Sequence, residues 1–117
     1  MAHHLITVTA PAERDLRDIF LWSETEFGNS AAERYQALVE RAMADLADNR
    51  LRPGSKKREG LQPGIYTYHL ASSRENVSEG RVKSPRHFLG YRIVMDRIEI
   101  LRVLHDSRDL DRHVPRD

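Results

Sequence analysis

The sequence predicts an α+β fold in which a helical hairpin packs on a small, mostly antiparallel sheet, in the order β-α-α-β-β-β. Two stretches with apolar residues at helical spacing fill most of residues 12–49, with a very short connection between them. Three runs of strand character follow between residues 65 and 104, and a shorter one precedes the helices. A chain of 117 residues suits one domain, so we assign residues 1–117 to a single domain.

The first strand leads directly into the first helix. Leu5-Ile6-Thr7-Val8 is short and rich in β-branched residues, which is typical of a strand. Thr9 is the predicted N-cap of the helix, and Pro11 is tolerated in its first turn. Apolar residues then recur every three or four positions up to a C-terminal stop at Gly28. The pattern predicts an amphipathic helix of about four turns.

The second helix is predicted to begin almost at once. Asn29-Ser30 supplies a cap, and Ser30 with Glu33 matches the capping-box pattern. The helix should end near Asn49, because Pro53-Gly54 cannot continue it. Two helices with so short a connection pack as an antiparallel hairpin. The apolar stripe of the second helix consists of Tyr35, Leu38, Val39, Ala42, Met43 and Leu46.

Three strands are predicted in the second half of the chain, after a basic turn from Arg50 to Arg58. They span residues 65–70, 88–95 and 98–104 and are rich in aromatic and β-branched residues. Asp96-Arg97 forms the tight connection of a β-hairpin between the last two strands. The polar segment from Ser72 to Arg86 contains glycine and proline and is predicted to be a loop.

The last strand carries apolar residues at both even-numbered and odd-numbered positions. Simple alternation places Ile98, Ile100 and Leu104 on one face of the sheet. It places Leu101 and Val103 on the other face. Apolar residues on both faces indicate a central strand that is covered on each side.

Composition excludes several classes of protein. The chain has no cysteine, which excludes disulfides, thiolate catalysis and sulfur-based zinc sites. No apolar run approaches the roughly 20 residues that span a bilayer, and the N-terminus lacks a signal peptide. We therefore expect a cytoplasmic protein without membrane association. The six histidines show no ligand-like spacing, so we expect neither a metal nor another cofactor.

The charge is unevenly distributed along the chain. Residues 1–49 hold four basic and nine acidic side chains, a net charge of −5. Residues 50–117 hold 15 basic and nine acidic side chains, a net charge of +6. A basic half is typical either of a surface that docks an anionic partner or of a solvated, arginine-rich exterior.

Four segments, in order, resemble the ParE toxins of the ParE/RelE superfamily. Residues 12–19 match the A-x-x-D-L-x-x-I start of their first helix, and residues 32–49 resemble their second helix. Tyr91-Arg92-Ile93 is similar to the family's Y-R-I. The strongest match is IEILRVLHDSRD, from Ile98 to Asp109, against the form I-x-I-L-R-V-L-H-x-x-R-D.

The resemblance implies the toxin of a type II toxin–antitoxin pair. In this family a co-expressed antitoxin, with a DNA-binding N-terminal part, folds its C-terminal segment onto the toxin and neutralises it. ParE-like members poison DNA gyrase and block replication, whereas RelE-like members cut messenger RNA on the ribosome. The long polar insertion Ser72–His87 departs from the family's short turn. It is either a contact with target or antitoxin or a tolerated surface excursion.

Four residues near the last hairpin carry the candidate chemistry. RNA cleavage needs an acid or base and cations on the phosphate, roles that suit His105 and the arginines Arg92, Arg102 and Arg108. The alternative is structural: His105 caps the strand end, while Arg102 and Arg108 pair with a nearby aspartate among Asp106, Asp109 and Asp111. The same four residues are candidate contacts with target or antitoxin.

The lone tryptophan, Trp22, is a further candidate contact on the first helix. Its alternative role is packing within the fold. Three functions follow from these residues. We favour a toxin that binds gyrase. The others are a RelE-like ribosome-dependent endoribonuclease that uses His105, and a non-toxic module that only binds its antitoxin.

Overall fold

The computed structural model describes residues 5–58, 64–77, 82 and 84–107. Strand β1 leads into helices α1 and α2, and four further strands follow with a 3-10 helix among them. The elements are β1 Leu5–Val8, α1 Ala10–Phe27, α2 Asn29–Asp48, β2 Ser55–Lys57, β3 Ile65–His69, the 3-10 helix Leu70–Asn76, β4 His87–Val94 and β5 Arg97–His105. Within these residues no helix is both long and apolar enough to cross a membrane.

The five strands form one sheet in the order β1-β5-β4-β3-β2. Strand β1 runs parallel to β5, and the other three pairings are antiparallel, which confirms the α+β class and the mostly antiparallel sheet. The predicted basic turn from Arg50 to Arg58 is wrong in part. Ser55–Lys57 pairs with Tyr66–Tyr68 as the edge strand β2. So short and polar an edge strand has no apolar pattern that would identify it.

Helix α1 begins and ends where the sequence predicts. The Thr9 hydroxyl accepts a hydrogen bond from the Ala12 backbone N–H at 3.3 Å, so Thr9 is the N-cap. The same hydroxyl donates to the Leu101 carbonyl of β5 at 3.0 Å, which ties the helix start to the sheet. Gly28 ends the helix with φ of 93°, a left-handed value that favours glycine.

Helix α2 follows after a single residue, which confirms the hairpin. The predicted capping box is wrong, because Gly28 is the N-cap and no side chain caps the helix. Ser30 lies inside the helix instead and accepts a hydrogen bond from Arg34 Nη1 at 3.2 Å. The predicted end near Asn49 is confirmed. The stripe is also confirmed: Leu38, Val39, Ala42 and Leu46 are buried, and Tyr35 and Met43 pack against them.

The segment predicted as a loop from Ser72 to Arg86 begins inside the 3-10 helix. Asp45 of α2 holds that helix by accepting from Ser73 Oγ at 2.6 Å and from Asn76 Nδ2 at 2.9 Å. Burial opposes the ionisation of Asp45, but these hydrogen bonds and the charges of Arg41 and Arg52 keep its pKa below the usual value. The first part of the insertion is therefore docked on α2.

Strand β5 is an interior strand, but its predicted faces are wrong. Tyr91 lies opposite Ile100 whereas Gly90 lies opposite Arg102, so Leu101 is the extra residue of a β-bulge. Beyond the bulge the alternation shifts by one position. Ile98, Ile100 and Val103 accordingly join the core beneath the helices. Leu101 and Leu104 join a second buried cluster with Ile65 and Phe88.

Candidate functional site

A groove lies between the helical hairpin and the strand ends that meet at one end of the sheet. Its volume is about 410 Å³. Helix α1 and the start of α2 form one wall, and the beginning of β4 and the end of β5 form the other. The lining residues on which the site depends are Trp22, Phe27, Tyr35, Arg86, His87 and His105.

The α1 side of the groove is apolar and open to solvent. Trp22 is 54% exposed and Phe27 is 65% exposed. Their rings pack edge to face with centroids 5.4 Å apart, so they form one continuous surface. A patch of large apolar side chains on a small protein is typical of a binding surface.

The floor of the groove is a hydrogen-bonded tyrosine–histidine pair. Tyr35 Oη accepts from the backbone N–H of Arg86 at 3.3 Å and lies 2.6 Å from His87 Nδ1. Either ring can donate in the Tyr35–His87 hydrogen bond, according to the tautomer of His87. The His87 ring in turn packs edge to face with the His105 ring, at a centroid distance of 5.3 Å.

Burial keeps this pair uncharged. It raises the pKa of Tyr35 to about 12. It lowers the pKa of His87 to about 4, and the neighbouring His105 lowers it further in the same direction. Both side chains are neutral at neutral pH, so the floor offers hydrogen bonds rather than charge.

His105 is the last residue of β5, on the rim of the groove. Its Nδ1 accepts from the backbone N–H of Ser107 at 3.1 Å and lies 2.7 Å from the Ser107 hydroxyl. A neutral His105 ring therefore carries its proton on Nε2. The Ser107 contacts close the turn that follows the strand, which is the geometry of the structural alternative.

An aspartate latch holds the two strand ends together beside the histidines. The Asp106 carboxylate accepts from Arg86 through Nε at 3.1 Å and Nη2 at 3.0 Å, and from His69 Nε2 at 3.1 Å. The Asp106 backbone N–H also donates to the Arg86 carbonyl at 2.8 Å. The hydrogen bond from Arg86 holds the pKa of Asp106 down at about 2. The latch thereby fixes where His87 and His105 meet.

The structure brings two of the predicted contact residues together and separates two others from them. Trp22 and His105 line the same groove. Arg92 pairs with Glu99 at 2.7 Å, toward the opposite end of the β4–β5 hairpin. Arg102 reaches Asp15 of α1 at 2.7 Å.

Arg102 pairs with Asp15 of α1, and Asp106, one of the three aspartates that the structural alternative named, is engaged by Arg86. The Asp15 carboxylate accepts hydrogen bonds from the Arg102 side chain and from the Val103 backbone N–H. Helix α1 therefore supplies the partner of Arg102. Arg108, Asp109 and Asp111 lie outside the described residues, as do His3, His4 and His113.

Four residues of the site, Phe27, Tyr35, Arg86 and His87, were not among the predicted candidates. Tyr35 was assigned only to the apolar stripe of α2, and Arg86 and His87 only to the polar insertion. The hairpin pattern contained part of the signal, because the residue opposite His87 must come from the end of the last strand. The predicted turn at Asp96-Arg97 is wrong by one residue, because the observed turn is Met95-Asp96. Pairing about the observed turn without a bulge gives Leu104 opposite His87, and the bulge at Leu101 makes it His105.

The arrangement suits binding better than bond cleavage. A general base needs a pKa near the working pH, which His87 lacks. Of the two arginines that line the groove, Arg86 holds Asp106 and Arg34 donates to Ser30. Across the described ranges no three His, Asp or Glu side chains converge as metal ligands. The groove instead combines an apolar wall with hydrogen-bond donors, as protein-binding surfaces do.

A second, smaller hollow of about 170 Å³ lies on the other side of the latch. Lys56 and Arg58 of the β2 edge line it together with His69 and Asp106. Arg58 Nε donates to Thr67 Oγ1 at 2.9 Å. The hollow is basic along its β2 side and carries none of the predicted site residues.

Comparison with known proteins gives a family and a fold. A family model described as the ParE toxin of the type II toxin–antitoxin system, parDE, matches residues 6–110. A chain of the chromosomal ParDE toxin–antitoxin system from P. aeruginosa is similar with a TM-score of 0.62 and 19% identity, covering 88% of this chain and 96% of that one.

A chain of the toxin–antitoxin complex RelBE2 from Mycobacterium tuberculosis is similar with a TM-score of 0.55 and 24% identity, covering 89% and 99%. Both likenesses are of fold. No curated protein matches the chain.

Proposed function

The chain belongs to the ParE family of toxins from type II toxin–antitoxin systems, and on that premise we propose that it arrests growth by binding DNA gyrase. Binding rather than bond cleavage by the toxin itself stops replication. A cognate antitoxin with a DNA-binding N-terminal part neutralises it by folding a C-terminal segment onto its surface. The toxin acts in the cytoplasm.

The main support for the proposal is that two of the candidate arginines form ion pairs within the fold. A nuclease of this size needs cations beside its acid or base to stabilise the charged phosphate. Arg92 and Arg102 are instead paired with Glu99 and Asp15. This removes two of the three arginines that made His105 a candidate catalytic residue and supports a binding role.

The exposed wall of the groove supports partner contact. Trp22 and Phe27 are aromatic side chains left in solvent on a small domain, and aromatic anchors dominate the free energy of many protein interfaces. We propose that Trp22 and His105 contact a partner there, because they share the groove. Arg92 and Arg102 contribute mainly by holding the hairpin and α1 in place.

The second candidate function is a RelE-like endoribonuclease. The likeness in fold to a RelBE2 chain favours it, as does the position of His105 at an accessible strand end. A third candidate, a non-toxic module that binds only its antitoxin, is distinguished by harmless expression.

Two variants of His105 test binding against cleavage. His105→Ala removes the ring, whereas His105→Gln keeps an acceptor for Ser107 but cannot transfer a proton. A gyrase binder should keep most of its growth arrest in the Gln variant and lose only an increment of affinity in the Ala variant. A nuclease should lose roughly 10²–10⁴-fold in cleavage of ribosome-bound messenger RNA in both, and that result would refute the proposal.

A further inference from the structure

The β4–β5 hairpin ends in a two-residue turn, Met95-Asp96, that holds a large apolar side chain in solvent. Met95 is 87% exposed, the highest value for a large apolar side chain in the described residues. It lies outside both buried clusters. Its packing within this chain therefore gives no reason for methionine at the position.

The backbone at Met95 makes the choice of residue more unusual. Its φ is +56°, the one positive value at a non-glycine position in the described ranges. Favoured hairpin turns place glycine or asparagine where φ is positive, because other side chains crowd the backbone there. An exposed residue in such a conformation is a candidate for a functional role.

A second exposed apolar residue lies at the same end of the sheet. Leu5 is 67% exposed, and both Leu5 and Val94 lie opposite Arg97 in the strand pairing. Neighbouring strands are about 4.8 Å apart, so Leu5 lies roughly 10 Å from the end of β4. Ile6 and Val8 pack toward the core, so Leu5 points to the opposite face. We name Leu5 and Met95 the hairpin tip.

The hairpin tip and the groove lie at opposite ends of β5. His105 ends the strand at the groove, and Arg97 begins it beside Met95. The eight steps between the nine residues of β5, at about 3.3 Å each, separate the two surfaces by roughly 26 Å. The two surfaces therefore do not overlap.

The shapes of the two surfaces favour different partners. An antitoxin segment that folds on binding needs a concave surface to lie in, which the groove provides. The turn is a convex projection with an exposed thioether, which fits a preformed apolar pocket in a folded protein. We propose that the hairpin tip is the surface by which the toxin binds its folded protein target, with Met95 as the anchor. The identity of that target as gyrase rests on the proposed function.

Three substitutions in the full chain separate this role from folding. Met95→Asn suits the positive φ but removes the apolar anchor, and Met95→Leu keeps an apolar side chain. Leu51→Asn is the matched control, because Leu51 is a half-exposed apolar residue in the turn after α2. The measurements are melting temperature, inhibition of supercoiling by reconstituted bacterial gyrase, growth arrest on induction, and co-purification with the cognate antitoxin.

We expect Met95→Asn to melt no lower than the wild type and to bind the antitoxin normally. Its inhibition of gyrase should weaken about tenfold or more, as for loss of an interface anchor, and growth arrest should be lost. Met95→Leu and Leu51→Asn should resemble the wild type. The hairpin-tip proposal is overturned if Met95→Asn inhibits gyrase and arrests growth like the wild type, or if it loses antitoxin binding equally.

Failure of the proposed function has a different signature. A wild-type chain that arrests growth without inhibiting gyrase contradicts the gyrase target. The hairpin tip is then judged by growth arrest alone: it stands if Met95→Asn is harmless while Leu51→Asn still arrests growth, and it falls if both arrest growth. Harmless expression of the wild type refutes both proposals.

Discussion

Tyr35 and His87 show how burial decides the character of a small binding site. Each is a residue that can carry charge, yet burial beneath the helical hairpin keeps both neutral, and a hydrogen bond of 2.6 Å joins them. Arg86 contributes its backbone N–H to the tyrosine and its side chain to Asp106, so one residue links the floor to the latch. The tyrosine–histidine floor consequently contributes hydrogen-bonding groups without charge, while Arg34 and Arg86 line the groove around it.

The buried histidine makes stability depend on pH. His87 has a pKa of about 4 in the folded chain, against an ordinary value of 6.5. Between these values the unfolded chain binds a proton that the folded chain does not, so the free energy of unfolding falls as pH is lowered through this window. The shift corresponds to at most about 3 kcal/mol.

Urea denaturation at pH 7 and pH 4.5 measures this effect. His87→Phe should lose stability at pH 7, because it breaks the bond with Tyr35, but its stability should fall less between the two pH values. The same fall in both proteins would show that His87 does not titrate as its burial requires.

Trp22 should contribute to partner binding and little to folding. Removing a half-exposed side chain costs about 0.5 kcal/mol or less in folding stability, whereas an interface anchor is worth about 2 kcal/mol or more. Trp22→Ala should therefore weaken binding of the cognate antitoxin about 30-fold with little change in melting temperature. Leu21→Ala is the control, since Leu21 is an exposed neighbour that does not line the groove. Equal losses in the two variants would argue against a specific role for the groove.

The helices and strands in which apolar residues recur regularly over many positions were predictable from the sequence. Helices α1 and α2 each carry an amphipathic pattern, and Gly28 marks their junction, so the hairpin could be identified without the structure. Strands β3, β4 and β5 carry enough β-branched and aromatic residues to be found within one residue of their ends.

The elements and contacts that depend on tertiary structure were not predictable. Strand β2 consists of three polar residues, and it forms because the edge of β3 is open for antiparallel pairing. The bulge at Leu101 depends on how β5 meets both β4 and the start of α1, since the Leu101 carbonyl accepts from Thr9. The missed bulge moved Val103 and Leu104 to the wrong faces, and together with the turn predicted one residue late it hid the pairing of His87 with His105. The candidate site therefore needed the structure, although Trp22 and His105 were named beforehand.

The link between α1 and β5 should be a main determinant of stability. Asp15 accepts from Arg102 at 2.7 and 3.1 Å and from the Val103 backbone N–H at 2.9 Å. Asp15→Ala leaves a partly buried cation and an amide without this partner, which should cost about 2–3 kcal/mol. Asp18→Ala, an exposed change on the same helix, should stay within about 0.5 kcal/mol. Chemical denaturation compares them, and similar effects of the two would contradict this role for Asp15.

The whole molecule is a thin sheet covered by one hairpin, with binding features at both ends of its longest strand. The groove lies where β5 ends and the hairpin tip lies where it begins. Between them Arg92 and Arg102 form ion pairs within the fold. Antitoxin binding at the groove and target binding at the hairpin tip are the roles proposed for these two surfaces.

Pulse-labelling of DNA and protein synthesis, begun immediately after induction of this chain alone in bacteria, tests the gyrase proposal most directly. A toxin that acts by binding gyrase should stop DNA synthesis first, while incorporation of amino acids continues. If amino-acid incorporation falls first, the target is translation, and the endoribonuclease function would replace gyrase binding.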